Sequence, residues 1–365
     1  MMQTVRDWAI DWVRRVFPSG QAVSFAIMLI VGFIAVLSLG HILMPVFAAG
    51  VIAYLLEGFV ELGERHRLPR LISVIIVFTL FMTFLVFDFV ALLPLLYQQS
   101  AQLIQQLPAW VNKAQVLVMQ LPERYPMFIN ETQIFEIVAV IRQELLNYGQ
   151  SMLTYSYASL LSLISFIVYV ILVPLLVFFF LKDKSVIVEW FVQYLPRDRY
   201  LTTRVWLEVD AQIGNYIRGK FFEVAILLAT SFVTFTLMGL NYSLLLAVLM
   251  GLSVIIPYVG ATLVTFPVML VAFFQWGATD DFFYLMLAYA IIQMLDGVVL
   301  VPLLFSEVVN LHPVAIMVAI LFFGGIWGFW GVFFAIPLAT LVKAVLRAWP
   351  KLGEGPAESV HRLGV

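Results

Sequence analysis

The chain of 365 residues is 63% hydrophobic and only 12% charged, and its mean hydropathy is +1.02. A soluble globular domain carries about 25% charged residues, so this composition predicts an integral membrane protein. The absence of cysteine excludes disulfides, thiol nucleophiles and Cys-ligated metals. The net charge of −2 predicts no nucleic-acid partner, because no basic stripe is present to neutralise a phosphate backbone.

Apolar stretches follow an amphipathic lead-in segment at residues 1–20, which has no cleavage site typical of a signal peptide. A helical span needs about 20 apolar residues. Stretches of that kind lie roughly at 21–40, 42–57, 71–95, 156–181, 222–240, 243–276, 282–302 and 314–345. We therefore predict an all-α polytopic membrane protein with about seven or eight spans, in which the sixth and eighth stretches are too long for one straight span.

Less apolar segments separate some of these stretches. Residues 96–155 repeat apolar side chains every three or four positions, first from Ile104 to Leu121 and again from Ile134 to Leu145, which indicates amphipathic helices. The charged sequence of residues 182–221 predicts a helical connector. The predicted organisation is 1–20 lead-in, 21–95 three spans, 96–155 extracytoplasmic helices, 156–181 fourth span, 182–221 cytoplasmic connector, 222–348 carboxyl-terminal membrane bundle and 349–365 cytoplasmic tail.

Lysine and arginine set the expected orientation, because short basic loops stay in the cytoplasm. The chain has 20 of them, with 3 in 1–20, 3 in 57–70, 7 in 182–220 and 4 in 343–365, and the other 3 lie in 96–155. This distribution predicts that both termini lie in the cytoplasm and that residues 96–155 are extracytoplasmic.

The two longest apolar stretches are interrupted by helix-breaking residues. The first contains Pro257 and Gly260, and the second contains the run "GGIWGFWG" and Pro337. Such breaks are tolerated at membrane depth where the freed backbone groups are buried or line a cavity. The similar spacing of Gly and Pro in both stretches indicates a weak internal repeat of the kind found along transporter paths, or only the abundance of these residues in membrane helices. Charge counting does not distinguish single broken spans from re-entrant hairpins.

Asp296 is the strongest candidate for chemistry within a span. Tyr289, Gln293 and Asp296 lie at positions i, i+4 and i+7 and share one helical face, and Gly297 is expected to allow a close approach beside them. An acid in hydrocarbon normally faces a protein interior or a cavity. The face predicts either a proton or polar-substrate site or an interhelical hydrogen bond that stabilises the bundle. Pro302 predicts the end of this helix.

Two other acidic residues within spans are weaker candidates for a transport path. Glu223 is near the predicted cytoplasmic end of its span, where pairing with Lys220 or Arg218 is favoured over transport. Asp88 is expected in the outer headgroup region rather than in a transport path.

The connector "SEVVNLHP" adds Glu307, Asn310 and His312, which form either a compact site or an ordinary turn. Pro313 suits the first turn of the next helix, and His312 or Asn310 its cap.

Enzyme and cofactor motifs are absent from the sequence. The histidines are at 41, 66, 312 and 361, without the spacing of a helical zinc site, and neither a G-x-S-x-G elbow nor a phosphate-binding glycine loop occurs. We therefore expect no enzyme activity, no cofactor and no metal. Any transport is expected to use an ion gradient or the gradient of the solute itself.

Five motifs carry a resemblance to a known family: "FFFLKDK" (178–184), "YIRGK" (216–220), "LNYSLLLAVLMGLSVIIPYVGA" (240–261), "LDGVVLVPLLFSEVVNLHP" (295–313) and "GGIWGFWGVFFAIPLATLVKAV" (324–345). In this order they resemble the autoinducer-2 exporter family, and within it the PerM-like permeases of Gram-negative bacteria. The resemblance implies an inner-membrane permease with seven or eight spans, homo-oligomeric and plausibly pentameric. Members export the furanone autoinducer-2, and some relatives resemble sodium/proton antiporters.

Three hypotheses follow. The first is a secondary permease that moves a small polar solute outward, with the broken segments forming the path and Asp296 facing it. The second is a sodium or other cation/proton antiporter in which Asp296, Asp88 or Glu223 changes protonation. The third is a non-transporting membrane scaffold whose amphipathic helices bind a partner.

Overall fold

The computed structural model describes residues 20–119, 140, 143, 166, 168–193, 200–257, 259–305 and 311–348. The secondary structure in these ranges is helical, and six helical segments are long and apolar enough to cross a membrane. This confirms the predicted all-α polytopic membrane protein. The helices are α1 (Gly20–Arg65), α2 (Arg70–Phe87), α3 (Leu93–Met119), α4 (Val168–Lys182), α5 (Lys184–Gln193), α6 (Tyr200–Leu237), α7 (Ser243–Ser253), α8 (Val259–Trp276), α9 (Asp280–Leu295), α10 (Val301–Phe305), α11 (Pro313–Phe333) and α12 (Ala335–Ala348).

The chain divides into two compact units, each with its own core. Unit 1 comprises residues 1–71, 176–222 and 301–365, and unit 2 comprises residues 72–175 and 223–300. The core of unit 1 gathers Tyr216, Phe305 and Ile316, whereas that of unit 2 gathers α7, α8 and α9 around Met250 and Leu285.

Helix α1 corrects one prediction. The apolar stretches at 21–40 and 42–57 belong to one continuous helix of 46 residues, in which Pro45 is the only proline. A helix of that length rises about 69 Å, more than twice the hydrocarbon thickness of a bilayer. The reversal of the chain expected between the two stretches is therefore absent.

Helices α2 and α3 are joined by a π-helical turn at Asp88–Leu92, so the predicted span continues into the amphipathic segment. Helix α3 packs on the α7–α8 part of unit 2. Trp110 stacks on Phe274 with ring centroids 5.0 Å apart, the Lys113 ammonium donates to the Phe274 carbonyl at 3.2 Å, and Gln99 accepts from the Leu245 amide at 2.9 Å. The amphipathic pattern thus marks a packed helix, as predicted. The second amphipathic helix, at Ile134–Leu145, lies outside the described residues apart from 140 and 143.

Helices α7 and α8 form an antiparallel hairpin, which we call hairpin A (Ser243–Trp276). Its open end is held by Gln275 at the end of α8, which accepts from the Asn241 amide and donates to the Gly239 carbonyl, both at 2.8 Å. At its closed end the backbone of Gly260 lies against the carbonyl of Ser253. The 11-residue helix α7 rises about 16 Å, too little to cross a bilayer. The sixth apolar stretch is therefore a hairpin rather than a single broken span.

A second reversal occurs within α11 and defines hairpin B (Pro313–Ala348). Gly328 has φ +58° and ψ −133°, a conformation that glycine adopts readily and that breaks the helix. Gly331 then lies against the carbonyl of Phe323, so the chain returns alongside its first arm. In both hairpins a glycine without a Cβ permits the turn, which supports the internal repeat that the sequence suggested.

The hairpin topology predicts that Asn241 and Thr279, at the two ends of hairpin A, face the same side of the membrane. The variants Asn241→Cys and Thr279→Cys are both expected to react with an impermeant maleimide in intact cells, or both only after permeabilisation. The native chain has no cysteine, so it serves as an unlabelled control. Labelling of one site in intact cells and the other only after permeabilisation would instead indicate a single crossing.

Candidate functional site

A chain of hydrogen bonds links hairpin A to α9 in the core of unit 2. Gln293 Nε2 donates to the Tyr289 hydroxyl at 2.8 Å, and that hydroxyl lies 2.9 Å from Thr265 Oγ1 and 3.3 Å from the Ala261 carbonyl. Thr265 also donates to the Ala261 carbonyl at 2.9 Å. Tyr289 is only 3% exposed, so this polar chain is buried among apolar helices. The predicted pairing of Tyr289 with Gln293 on one face of α9 is confirmed.

The polar chain begins directly behind the closed end of hairpin A. Gly260, which makes the turn possible, precedes Ala261, and Pro257 accepts from the Val259 amide at 2.7 Å within the turn. Gln293 Nε2 also lies 3.6 Å from the sulfur of Met250 on α7, so α9 contacts both arms. Backbone carbonyls and side-chain hydroxyls at a helix break are the groups that bind ions and polar solutes inside membrane proteins.

Asp296 lies one turn beyond Gln293 and is 8% exposed. It is the first residue of a π-helical turn, Asp296–Leu300, and its amide contacts the carbonyls of both Gln293 and Ile292. The wider turn accommodates Pro302, which cannot donate to the helix ladder. The helix continues to Phe305, so the predicted stop at Pro302 is wrong. The expected close approach at Gly297 is also wrong, since an added Cβ there meets nothing within 4 Å.

Asp88 occupies the same local position in another helix. It opens the π-helical turn Asp88–Leu92, and Pro94 follows it at the spacing that separates Asp296 from Pro302. The matching Asp-x5-Pro segments, "DFVALLP" and "DGVVLVP", are a sequence signal that the predictions did not use. Turns of π-helix are frequent at functional sites, because the inserted residue redirects a side chain and leaves carbonyls outside the regular ladder. Asp88 is half-buried, whereas Asp296 is buried.

Glu223 is buried within the protein. It is 2% exposed and occupies the face of α6 that also carries Leu227, Ser231 and Phe235, all at most 1% exposed. The same helix packs on hairpin A, because Gly251 allows α7 to approach the Val224 carbonyl and Leu228. Among the described residues of unit 2, two carboxylates are therefore buried, Glu223 and Asp296. The pairing of Glu223 with Lys220 or Arg218 stays a prediction.

The connector residues divide into a cap and an undescribed part. His312 is the N-cap of α11, its Nδ1 accepts from the Val314 amide at 3.3 Å, and Pro313 occupies the first turn. This confirms the capping role predicted for His312. Glu307 and Asn310 lie outside the described residues.

A charged cluster in unit 1 was missed by the sequence predictions. Glu57 on α1 accepts from Arg70 Nη2 at 3.0 and 3.2 Å and lies 3.0 Å from Lys184 Nζ, while Arg70 also donates to the Leu181 carbonyl at 2.7 Å. Glu57 is the last residue of the apolar stretch at 42–57. The cluster joins the end of α1, the start of α2 and the "FLKDK" motif.

The motif "YIRGK" on α6 stabilises hairpin B in unit 1. The Tyr216 hydroxyl donates to the Phe333 carbonyl at 3.1 Å, just after the turn of that hairpin. Gly219 lets α6 approach the Leu304 carbonyl and the Phe305 ring, and Lys220 Nζ lies 5.2 Å from the centroid of that ring. Three residues of the motif therefore hold α10 and hairpin B.

We predict that Glu57→Gln lowers the free energy of unfolding by about 1–3 kcal/mol. Breaking a buried ion pair is typically worth about 3–5 kcal/mol, and the half-exposed Lys184 reduces that figure. Thermal unfolding in detergent measures the change. The matched control is Glu64→Gln, since Glu64 is 34% exposed and 3.4 Å from Arg70, and its expected effect is below about 1 kcal/mol. Equal stability of the two variants would contradict a structural role for Glu57.

No group of three or more His, Asp or Glu side chains is placed to hold a metal ion within the described ranges.

Comparison with known proteins identifies the family. Residues 23–351 match the model of the AI-2E family transporter domain. The chain is 45% identical to "Putative permease PerM" of Escherichia coli (strain K12) over 344 residues, which cover 94% of this chain and 98% of that protein. It is 27% identical to "Putative transport protein YueF" of Bacillus subtilis over 305 residues, covering 82% of each chain. It is also 24% identical over 295 residues to a "Putative transport protein" of Thermotoga maritima, covering 80% of this chain and 84% of the relative. The chain therefore belongs to the AI-2E transporter family, whose members are membrane transport proteins.

Proposed function

We propose that this protein is a secondary permease of the bacterial inner membrane that exports a small polar solute similar to autoinducer-2. The observation that carries the proposal is the buried polar chain of Gln293, Tyr289, Thr265 and the Ala261 carbonyl. Membership of a transporter family supports export over the scaffold hypothesis. The names of the relatives specify transport but no solute, and the likeness of the solute to autoinducer-2 is what the family resemblance implies.

The chemistry of the chain fits a neutral, hydroxyl-rich solute. It combines an amide, two hydroxyls and a carbonyl, which together donate and accept hydrogen bonds without a fixed charge. A polar solute that enters the bilayer must replace the hydrogen bonds it made with water, and these groups replace them.

The proposal predicts that Tyr289→Phe slows export roughly tenfold, the equivalent of about 1–1.5 kcal/mol for one lost hydrogen bond. The phenylalanine ring keeps the packing of α9 but removes the hydroxyl that joins Gln293 to Thr265. Efflux of autoinducer-2 from loaded proteoliposomes measures the rate. The control is Tyr284→Phe on the same helix, whose side chain is 62% exposed. If both variants match the wild type, the polar chain is not part of the path.

The second candidate function is a cation/proton antiporter, which the two buried carboxylates of unit 2 favour. Asp296 and Glu223 are 8% and 2% exposed in helices of membrane-spanning length. Acids in such positions are rare in membrane proteins and mark ion pathways and proton relays. A sodium or proton gradient that drives flux in the absence of any organic solute would favour the antiporter over the exporter.

The expected location and assembly are also proposals. The basic connectors 57–70 and 182–220 contact each other through Glu57, Arg70 and Lys184, which supports placing both in the cytoplasm. The carboxyl terminus is proposed to lie there as well. The cytoplasmic position expected for the amino terminus depended on a reversal that the continuous helix α1 lacks. We propose a homo-oligomer, plausibly a pentamer, as the resemblance implied, and native mass spectrometry of the purified protein tests it.

A further inference from the structure

Hairpin B contains a groove that the transport site does not use. The two arms border an open groove of about 650 Å³ close to the open end of the hairpin, a volume within the range of about 300–1,000 Å³ of small-ligand sites. Ala315, Ala319 and Ala339 line it, and their small side chains leave space on the surface of the hairpin. Most of the other lining side chains are also apolar, so the floor of the groove suits a hydrocarbon chain.

Two cations stand at one end of this groove. Lys343 and Arg347 are four residues apart on α12 and so share one helical face, close to the end of the helix at Ala348. Neither α11 nor α12 contains an aspartate or a glutamate. Hairpin B therefore combines an apolar groove with two cationic side chains at its open end.

We propose that this groove binds an anionic phospholipid, with an acyl chain along the alanine-lined floor and the headgroup phosphate at Lys343 and Arg347. Arginine binds phosphate oxygens through two parallel N–H donors, and lysine adds a second charge. Basic pockets between membrane helices on the cytoplasmic side bind anionic headgroups in this way. The four basic residues in 343–365 place the open end of the hairpin on that side by the positive-inside rule.

The composition of the groove favours a lipid over a polar solute. Apart from the two cations, the lining side chains carry no hydrogen-bonding group. A sugar-like or furanone solute would leave its hydroxyls unpaired against such a floor, which is unfavourable. An amphiphile with one anionic end and one hydrocarbon end matches both parts of the groove. The bilayer supplies such molecules at high local concentration.

The test measures which lipids the purified protein retains. Wild type and Lys343→Gln/Arg347→Gln are reconstituted in nanodiscs of equal phosphatidylglycerol and phosphatidylcholine, extracted into detergent and analysed by native mass spectrometry. The wild type is expected to retain phosphatidylglycerol in preference to phosphatidylcholine. The preference should fall about fivefold for each cation removed. Ala315→Phe, which fills the groove at an exposed position and keeps both cations, is expected to lose bound lipid of either kind.

Controls separate the groove from general surface charge. Arg65→Gln/Arg67→Gln removes two exposed cations outside hairpin B and is expected to keep the preference of the wild type. The proposal is overturned if this control loses the preference as fully as the groove variant, or if wild type retains both lipids equally. Displacement of the lipid by 10-fold excess inorganic phosphate would also overturn it and indicate a free-phosphate site instead. A thermal unfolding scan of each variant establishes that it is folded.

Discussion

Gly260→Ala is expected to prevent hairpin A from closing and to remove most of the folded protein. A Cβ at residue 260 lies far inside van der Waals contact with the Ser253 carbonyl, and that obstacle is backbone rather than the flexible end of a side chain. Overpacking of a tight site usually destabilises by about 1–3 kcal/mol and sometimes by more. The polar chain starts at Ala261, directly after this turn, and continues to Thr265. An opened hairpin would therefore also displace the polar chain. The yield of monodisperse protein and its apparent Tm in detergent measure the effect.

The matched control is Gly297→Ala in the same unit, where an added Cβ meets nothing within 4 Å. Alanine in place of a helical glycine is expected to leave the Tm unchanged or to raise it slightly. The same pair of outcomes is expected in hairpin B, where Gly331→Ala meets the Phe323 carbonyl and Gly325→Ala meets open space. A Gly260→Ala protein as stable as Gly297→Ala would contradict the close approach of α7 and α8.

In the two broken segments, the sequence predicted where the helix is interrupted but not whether the chain reverses there. Glycine and proline marked both interruptions, because each residue weakens a helix for a reason that any sequence makes visible. Whether the chain then continues or reverses depends on which backbones approach each other. The contacts of Gly260 with Ser253 and of Gly331 with Phe323 decide this question, and contacts between the two arms of a hairpin leave no helical period in the sequence.

The structure shows which candidate residues are buried, and the sequence alone did not distinguish them. Glu223 was expected near the cytoplasmic end of its span, and the sequence did not show that its position on the Leu227–Phe235 face of α6 buries it within the protein. Glu57 was not among the predicted site residues, and its partners Arg70 and Lys184 lie 13 and 127 residues away in the chain, beyond the reach of helical period. The stripe of Tyr289 and Gln293 was predictable, since helical period alone places residues four apart on one face.

Asp296→Asn is expected to abolish gradient-coupled flux in proteoliposomes while the protein stays folded. Asparagine has nearly the shape of aspartate and keeps hydrogen-bonding capacity, but it neither ionises nor carries a proton. The buried position of Asp296 at the start of a π-helical turn, one turn beyond Gln293, makes it the acid best placed to bind a coupling ion. Flux is measured with an imposed proton or sodium gradient and a pH-sensitive dye inside the vesicles.

Comparison of the three membrane acids then separates the two transport functions. Asp88→Asn is the matched control, because Asp88 opens the same kind of turn but is only half-buried, and its flux is expected to resemble that of the wild type. If the protein is an antiporter, Asp296→Asn is expected to lose proton movement in the absence of organic solute. Glu223→Gln is expected to lose it as well if Glu223 also carries a proton during transport. An exporter driven by the gradient of its solute predicts that Asp296→Asn slows efflux by weakening solute binding and leaves vesicle pH unchanged. Unchanged flux in Asp296→Asn would remove this residue from both mechanisms and leave the Tyr289 chain as the site to test.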